Sequence, residues 1–298
     1  MAEFWSTVEL EPTHAWNVPA VIRRRNFLVT GDELMTPVDS FVDRHLGDRA
    51  QLVGLSIGCG DGKRERVWAR TGRFVKIDAY DVSPRYIEEA RRQTEAEGLD
   101  AVLNFQVGDA YKLAYEPSSL DLVIGEDALH HMTPLDDLFA QFERWLRPEG
   151  FLFVDEYVGP RRLQMQPRQL EAANALLALL PNSCRRDWQT GRIKQHVELA
   201  GRLRVYLKDP SEAVESDRIV PLLRERFDVV EERPYGETIV GPVLHSIAPS
   251  FAGDDPVARK ALELMFAAEE LLLEVGEIES IRTVMICRKR KAGMIKTA

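Results

Sequence analysis

LVGLSIGCGDG, residues 52–62, is an apolar run that leads directly into three glycines, Gly58, Gly60 and Gly62. The run predicts a buried strand, and the glycine-rich turn after it lets the backbone approach a ligand, because glycine has no Cβ. The amides at the start of the next helix would then face a polar or anionic group of that ligand. Because many nucleotide-binding sheets share such a turn, the flanking sequence has to identify the ligand.

From about residue 51, short apolar runs alternate with amphipathic segments, a pattern typical of βαβ units around a parallel sheet. The predicted strands are Leu52–Ile57, Phe74–Tyr80, Val102–Val107, Leu120–Ile124, Phe151–Tyr157, Val229–Pro234 and Thr283–Cys287. The predicted helices are Pro84–Glu97, Pro134–Leu146, Leu170–Leu180, Ile219–Phe227 and Pro256–Val275. We therefore expect an α/β fold with a doubly wound, seven-stranded, mostly parallel sheet and a late antiparallel strand near its edge.

Three helix starts carry capping signals. Ser83 precedes Pro84, and Asp255 precedes Pro256, so each is placed to cap a helix that has proline in its first turn. Thr133 is expected to cap the predicted helix Pro134–Leu146, with Asp136 three positions later as in a capping box.

The chain is expected to divide into three parts. Residues 1–50 form a helical N-terminal extension or lid, with Phe4, Trp5 and Trp16 as candidate substrate-facing aromatics. Residues 51–160 and 217–298 form the ligand-binding Rossmann-like core. Residues 161–216 contain no strand-like run, so they are predicted to be a helical insertion that caps the substrate.

Two more strand ends carry acids. Asp81 ends the second strand, where a carboxylate can accept two hydrogen bonds from the vicinal diol of a ribose. Asp109 follows the third strand and could accept from an adenine amine, while the amide of Ala110 donates to a ring nitrogen. The alternative is that both acids only cap the next helix. For Asp81 that role falls more naturally to Ser83.

The series LSIGCGDG, IDAYDVSP, VGDA, LDLVIGEDALHHM and RWLRPEGFLFVDEYVG resembles the successive motifs of class I S-adenosylmethionine-dependent methyltransferases over about residues 50–160. The resemblance implies that the glycines lie against the methionine part of the cofactor. It also implies that Asp81 holds the ribose, that Asp109 and Ala110 hold the adenine, and that Glu126 lies beside the cofactor. The candidate cofactor-binding residues are Gly58, Cys59, Gly60, Gly62, Asp81, Val82, Asp109, Ala110 and Glu126.

The chain departs from the family pattern at two places. Ser56 stands two residues before Gly58, where the family usually has an acid, so the sequence does not show how the cofactor's amine is held. The turn Arg147-Pro148-Glu149-Gly150 replaces a more usual proline–glycine–glycine, a change that a surface turn tolerates.

His130 and His131 follow the fourth strand, in the loop that is expected to face the transferred methyl group. Methyl transfer to a hydroxyl needs a proton acceptor, and histidine titrates near neutral pH. His131, and after it His130, are therefore the catalytic candidates, although the family often has histidines here that only pack. The rival acid–base and substrate-binding candidates at neighbouring strand ends, and just beyond, are Asp127, Glu156, Tyr157 and Arg162.

Composition limits the partners. There are 39 Lys and Arg residues against 48 Asp and Glu, a net charge of −9, which argues against a nucleic acid partner. No apolar run is long enough for a membrane span, and the first residues lack a basic secretion signal, so we expect a cytoplasmic protein. The three cysteines and the remaining histidines show no ligand spacing, so no metal is expected. The sequence leaves the oligomeric state open, and a homodimer is compatible with it.

The sequence therefore predicts an S-adenosylmethionine-dependent methyltransferase with a small-molecule acceptor, such as a sugar or natural product, and oxygen ahead of nitrogen as the accepting atom. One alternative is a nicotinamide-dependent oxidoreductase, which also uses a glycine turn and an acid after the second strand. The G-x-G-x-G spacing and the lack of a YxxxK pair disfavour it. The other alternative is a non-catalytic binding protein of the same fold.

Overall fold

The computed structural model describes residues 15–199 and 201–290, so Phe4 and Trp5 lie outside the described residues. The strands are β1 Leu52–Ile57, β2 Phe74–Asp81, β3 Leu103–Val107, β4 Leu120–Glu126, β5 Leu146–Tyr157, β6 Phe227–Gly236 and β7 Arg282–Lys289. They form a sheet in the order β3-β2-β1-β4-β5-β7-β6. Strands β1 to β5 pair in parallel, and β7 is antiparallel to both of its neighbours. The predicted seven-stranded, mostly parallel sheet is confirmed.

Helices cover the sheet and also occur in the N-terminal extension and in the insertion. They are α1 Pro19–Thr30, α2 Pro37–Phe41, α3 Lys63–Arg70, α4 Pro84–Ala96, α5 Leu135–Trp145, α6 Pro167–Leu179, α7 Arg202–Lys208, α8 Ile219–Arg226, α9 Val240–Leu244 and α10 Pro256–Glu274. Among the described residues, no helix combines the length and the apolar character that a membrane span requires.

Two of the predicted helix caps are present. The Ser83 hydroxyl accepts a hydrogen bond from the amide of Tyr86 at the start of α4. The Asp255 carboxylate accepts from the amide of Val257, with N and O 2.7 Å apart, at the start of α10. Each side chain satisfies a helix-end amide that has no partner within its own helix.

The predicted Thr133 cap of α5 is wrong. Pro134 occupies the N-cap position, and no side chain at that position accepts a bond from the helix. The first helical amide, that of Leu135, instead donates to the Glu215 carboxylate at 2.9 Å. The capping-box pattern covers only neighbouring residues, so it cannot predict this acceptor. Glu215 lies 80 residues further along the chain than Leu135.

The strand order places a ligand crevice between β1 and β4. From β1 the chain builds outward through β2 to β3, then returns to the other side of β1 as β4. At such a switch point the two flanking loops leave in opposite directions, and open parallel sheets bind ligands in the crevice that this opens. The loop after β1 and the loop after β4 therefore border the candidate site.

Apolar clusters cover both faces of the sheet. One contains Phe41, Trp68 and Phe153 and packs under α2 and α3. The other contains Phe139 and Trp145 and packs under α5 and α8.

A third cluster, which we call the cap cluster, joins the N-terminal extension, the insertion and the α9–α10 region. Its buried members are Ala15, Val18, Val21, Ala172, Ala173, Leu176, Leu177, Leu180, Cys184, Val197, Ile239, Val240, Val243, Leu244, Ile247, Ala248, Phe251, Ala258, Ala261, Leu262, Met265 and Ile278. The insertion is thus packed against residues from both ends of the chain.

Candidate active site at the carboxyl edge of the sheet

The glycine loop after β1 adopts a backbone that favours glycine at three positions. Gly58, Gly60 and Gly62 have φ of +65°, +53° and +73°. A Cβ on Gly62 would lie 2.5 Å from the Phe105 ring, and one on Gly58 would lie 2.5 Å from the Ala128 side chain. At Gly60 a Cβ would meet nothing within 4 Å. The loop is therefore closely packed at Gly58 and Gly62 and open at Gly60. This open part is the glycine cradle, where a ribose or another part of a ligand can approach the protein backbone.

Asp81 lies beside this cradle at the end of β2. Its Oδ2 accepts from the Gly60 amide at 3.0 Å and its Oδ1 from the Ser83 amide at 2.8 Å. Burial raises the pKa of Asp81, although these amide bonds act in the opposite direction. A carboxylate has about four acceptor positions, so two remain for a vicinal diol. The neighbouring Val82 is half-buried. This geometry fits the predicted ribose site.

Replacing Asp81 with alanine is expected to weaken binding of S-adenosylhomocysteine by more than about tenfold, because a charge-assisted hydrogen bond contributes roughly 1.5–3 kcal/mol. Titration calorimetry measures the effect. Asp61→Ala is the control, because it removes a carboxylate from the same loop, where the Asp61 oxygen accepts from the Lys63 amide. Equal affinity in the Asp81 variant and the unaltered protein would contradict the ribose assignment.

Asp109 caps the turn that follows it, as the alternative interpretation of this acid as a helix cap predicts. Its Oδ1 accepts from the Tyr111 amide at 3.0 Å, and its Oδ2 lies 3.2 Å from the Lys112 ammonium. The side chain therefore caps a short 3-10 turn that begins at the buried Ala110. An adenine contact by the free acceptor positions remains a prediction.

The structure supplies an acid next to Ser56. The Ser56 hydroxyl donates to Glu65 Oε1 at 2.7 Å, and Glu65 comes from the first turn of α3. Burial raises the pKa of Glu65 to about 7, although the Ser56 bond lowers it. Cys59 points into the same buried region, and burial together with Glu65 holds the pKa of its thiol well above the usual value. The cofactor contact of Cys59 remains a prediction.

Glu126 at the end of β4 directs its side chain into the core. Its Oε2 accepts from the Trp68 indole nitrogen at 3.0 Å, and the residue is only 8% exposed. Its backbone carbonyl accepts from Arg64 at 2.6 Å. The part of Glu126 that can meet a ligand in the crevice is therefore the carbonyl.

Asp127 is held between two arginines. One oxygen of Asp127 is paired with Arg64 and the other with Arg282. Burial would raise the pKa of Asp127, but the two guanidinium groups hold it well below the usual value. Its φ of +52° is rare for a residue with a side chain. Its predicted substrate role remains a prediction, with both carboxylate oxygens already engaged.

His130 and Glu156 form a buried pair beside the crevice. His130 Nδ1 lies 2.6 Å from Glu156 Oε2, and Glu156 is fully buried at the end of β5. The carboxylate also accepts from the amides of Ala128, Leu129 and Tyr157. Burial lowers the pKa of His130, but the Glu156 carboxylate outweighs burial and leaves the pKa above its usual value. Glu156 thus fixes both the loop and the orientation of the imidazole.

His131 has a different environment. Its Nδ1 lies 3.1 Å from the Ser211 hydroxyl and 3.5 Å from an Asp209 oxygen, and its ring centre is 4.1 Å from that of His130. Burial, together with the neighbouring His130, holds the pKa of His131 well below the usual value. Among the two histidines, His131 is therefore the one whose surroundings disfavour the protonated form.

The insertion covers this loop. The Val214 amide donates to the His130 carbonyl at 3.0 Å, and Glu212 Oε1 lies 3.7 Å from His130 Nε2. Arg162, a predicted substrate-binding residue, donates to the Pro210 carbonyl at 2.7 Å and to that of Glu212. Arg162 thus holds the covering segment against the start of the insertion.

A cavity of about 220 Å³ lies on the far side of Tyr157. Glu237, His245 and Arg282 are among the side chains that line it. The Tyr157 hydroxyl donates to the Pro160 carbonyl at 2.9 Å, and its ring centre is 6.1 Å from that of His130. Burial raises the pKa of Glu237 to about 7. Tyr157 therefore lines this cavity and also lies beside the His130 ring.

Folding also brings together side chains of metal-ligand type. The ligand atoms of His130, His131 and Glu212 lie within 4.8 Å of one another, as do those of Asp127, His130 and Glu156. Sequence spacing could not reveal these groups, because each combines the loop after β4 with a residue that is distant in sequence, either Glu212 in the insertion or Glu156 in β5. The expectation that the protein uses no metal remains a prediction.

Several residues at the site escaped sequence analysis. They are Arg64, Glu65, Asp209, Ser211, Glu212 and Arg282. Arg64 and Glu65 directly follow the glycine loop, so their position was a usable signal. The others lie in the insertion or at the start of β7, where no local pattern marks them.

Comparison with known proteins identifies the domain. Residues 55–154 match the methyltransferase domain family. The methyltransferase GfsG of Streptomyces halstedii is 35% identical over 105 residues, which is 35% of this chain and 37% of that protein. The 27-O-demethylrifamycin SV methyltransferase of Amycolatopsis mediterranei is 31% identical over 126 residues, 42% of this chain and 43% of that protein. The matched region thus spans less than half the length of either relative.

A solved structure gives the same architecture. The geranyl diphosphate C-methyltransferase of Streptomyces coelicolor A3(2), in complex with Mg²⁺, geranyl diphosphate and S-adenosyl-L-homocysteine, aligns with a TM-score of 0.57. The alignment covers 97% of this chain and 96% of that chain at 11% identity. At that identity the likeness shows the fold alone.

The sheet order and the glycine cradle define a doubly wound α/β domain with a crevice at the β1–β4 switch point. Within that class, the family match is specific. The chain contains a class I S-adenosylmethionine-dependent methyltransferase domain, whose cofactor is S-adenosylmethionine.

Proposed function

We propose that this protein transfers a methyl group from S-adenosylmethionine to a hydroxyl of a small molecule. The observation that carries the proposal is the buried His130–Glu156 pair, which follows the domain's fourth and fifth strands beside the crevice. An acceptor that binds under the insertion would meet this pair.

The residues around the crevice fit the cofactor. The open position at Gly60 and the remaining acceptor positions of Asp81 suit a ribose. When bound, S-adenosylmethionine supplies an activated methyl group on its sulfonium centre. The protein's own contribution is then to align the acceptor, exclude water and accept a proton.

His130 is the better candidate for the proton acceptor, although the sequence favoured His131. Glu156 accepts from Nδ1–H of His130, which leaves Nε2 as the basic nitrogen on the opposite side of the ring. Burial and the neighbouring His130 hold the pKa of His131 well below its usual value, which makes it the weaker base of the two. We assign His131 the role of a neutral neighbour that packs against the His130 ring.

An oxygen acceptor is favoured because a hydroxyl must lose its proton during methyl transfer, which an oriented histidine–carboxylate pair can provide. Among the relatives, the rifamycin methyltransferase and the erythromycin 3''-O-methyltransferase of Saccharopolyspora erythraea carry names of natural-product enzymes. These names support a hydroxylated natural product or its sugar as acceptor. Relatives named as C- and N-methyltransferases also occur, so amines belong in the same screen.

The first test is titration calorimetry of the purified protein with S-adenosylmethionine, S-adenosylhomocysteine, NAD and NADP. We expect micromolar binding of the two adenosyl ligands and none of the nicotinamides. Transfer of a radiolabelled methyl group to macrolactones, glycosides and matched amines then identifies the acceptor. Tighter binding of a nicotinamide would refute the assignment. Cofactor binding without transfer to any acceptor would favour the non-catalytic alternative.

The pKa of His130 predicts a pH dependence. Because that pKa lies above the usual 6.5, His130 is protonated and unable to accept a proton at low pH. The rate of methyl transfer is therefore expected to rise with pH through a midpoint above 6.5 and then level off. Single-turnover rates between pH 5.5 and 9 measure it. The His130→Gln variant should have a much lower rate, and that rate should no longer rise with pH. If the rise with pH persists in this variant, another group is responsible for the titration.

A further inference from the structure

Helix α7 presents apolar side chains to solvent. Leu203 and Leu207 are 70% and 72% exposed and Tyr206 is 51% exposed, whereas Val205 is the one buried residue of Arg202–Lys208. Side chains four residues apart lie on the same face of a helix, so the two leucines are neighbours. Val205 lies two residues from each of them, which places it on the opposite face. Leu203 and Leu207, which we call the leucine ridge, therefore point away from the body of the protein.

Positive charge borders the leucine ridge on both sides. Arg202 and Tyr206 lie on one flank of α7, and Arg204 and Lys208 lie on the other. All three cations are exposed. Within the part of the chain that the structure describes, none of their side chains has an ion-pair or hydrogen-bond partner. These charges are therefore available to a partner.

The charge of this region is opposite to that of the whole chain. Residues 185–208 contain seven Lys and Arg against two Asp and Glu, while the full chain has a net charge of −9. A local positive patch on an acidic protein attracts an anionic surface. It also opposes docking of a second copy on the same face, since a two-fold dimer would bring the α7 cations of both copies together.

We propose that α7 docks the protein on the anionic surface of a lipid bilayer. The leucine ridge enters the boundary between headgroups and acyl chains, while Arg202, Arg204 and Lys208 pair with lipid phosphates. A bilayer is favoured over an acidic protein because the ridge is convex and apolar at its crest. Fluid lipid closes around such a ridge, whereas a folded partner needs a matching groove. Docking of this kind requires no membrane-spanning helix.

The docking helix is joined to the segment that covers the histidine loop. Asp209 directly follows α7, and its carboxylate lies 3.5 Å from His131 Nδ1. Three residues later, Glu212 Oε1 lies 3.7 Å from His130 Nε2. A protein bound to lipid through α7 therefore holds this covering segment next to the bilayer surface.

The test measures binding of the full chain to lipid vesicles by co-sedimentation. One set of vesicles contains phosphatidylglycerol mixed with phosphatidylcholine, and the other contains phosphatidylcholine alone. The protein should bind the anionic vesicles at least about tenfold more tightly, because each cation near the surface contributes about fivefold. This binding should weaken as the salt concentration rises. The measurement needs neither cofactor nor acceptor, so its result is independent of the proposed function.

Two sets of variants separate the contributions of the apolar and the charged side chains. Leu203→Ser combined with Leu207→Ser should weaken binding to the anionic vesicles at least about tenfold, because both leucines are buried in lipid. Leu264→Ser combined with Leu271→Ser is the matched control, since these leucines of α10 are 45% and 57% exposed but lie outside the basic region. It should bind like the unaltered protein.

Replacing Arg202, Arg204 and Lys208 with glutamine should weaken binding about fivefold for each cation removed. All the altered side chains are exposed, so the denaturant concentration at which each variant unfolds should match that of the unaltered protein. This check separates a loss of docking from a loss of folding.

Three results would overturn the inference. The first is equal binding to the two sets of vesicles, or binding to neither. The second is binding that needs the cations but not the leucine ridge, which would make an acidic macromolecule the better partner. The third is a dimer, measured by light scattering, that the serine variant of the leucine ridge converts to a monomer, because a second copy would then occupy this face.

Discussion

Replacing Glu156 with glutamine is expected to lower the rate of methyl transfer by about 10²–10⁴-fold, the range that general base catalysis contributes. The loss should appear in the rate of the chemical step, because Glu156 is fully buried and does not line the cofactor cradle. Affinity for S-adenosylhomocysteine should change by less than about threefold.

The reason lies in the proton on His130. The carboxylate of Glu156 accepts hydrogen bonds at both oxygens, from the Leu129 amide at Oε1 and from His130 Nδ1 and the Tyr157 amide at Oε2. The side chain of the introduced glutamine has only one accepting oxygen, and this oxygen keeps the hydrogen bonds from the backbone amides of Ala128 and Leu129. The NH₂ group then faces His130 and favours the tautomer with its proton on Nε2. That tautomer cannot accept a proton from the substrate side.

Single-turnover assays measure the rate, and nitrogen NMR of labelled histidine reports the tautomer. Glu212→Gln is a matched control, since Glu212 lies 3.7 Å from His130 Nε2 but is not hydrogen bonded to Nδ1. It should retain most of the rate. An unchanged rate in Glu156→Gln would show that the pair only supports the loop.

Gly62→Ala is expected to destabilise the protein strongly, and more than Gly60→Ala in the same loop. The left-handed backbone costs about 1–2 kcal/mol for a residue with a Cβ. The new Cβ would lie 2.5 Å from Phe105 and 3.0 Å from Ala90, and overpacking of this kind costs roughly 1–3 kcal/mol. The sum of about 2–5 kcal/mol is a large share of the 5–15 kcal/mol that typically stabilises a protein.

Denaturant unfolding measures the free energy of unfolding, with Gly60→Ala as the matched control. Gly60 has φ of +53° but open space around its Cβ position, so only the backbone cost applies. Gly60→Ala should therefore lose about 1–2 kcal/mol of stability and mainly weaken cofactor binding. If both variants unfold at the same denaturant concentration, the contact with Phe105 is not what restricts position 62 to glycine.

The parallel part of the sheet was predictable because its strands are buried on both faces and read as continuous apolar runs. The predicted Leu52–Ile57 is confirmed residue for residue, and β2 and β3 differ from their predictions by one residue. The prediction for β5 was five residues short at its start, because Leu146, which precedes the turn with its proline and glycine, already pairs with Leu120 before a register shift. The short helix α9 has too few residues to show a periodicity.

Site residues were predictable from the sequence only where a polar side chain lies at or just after the end of a predicted strand. Asp81, Glu126 and His130 lie where the motifs predicted, because parallel strands end at one edge of a sheet. Their partners were not predictable in the same way. The pairing of His130 with Glu156 needs the register of β4 against β5, and Glu212 reaches the site only because the insertion folds back.

The cap cluster gives the protein two separable sets of apolar contacts. The buried side chains of α6, α9 and α10 pack mainly with one another and with residues 15–21, whereas the glycine loop and β1 to β5 belong to the sheet's own clusters. Substitutions that reshape the cap alter few of the contacts that hold the cofactor residues. Under the proposed function, in which the acceptor binds under the insertion, the cap can therefore change with the acceptor while the methyl-donor half stays constant.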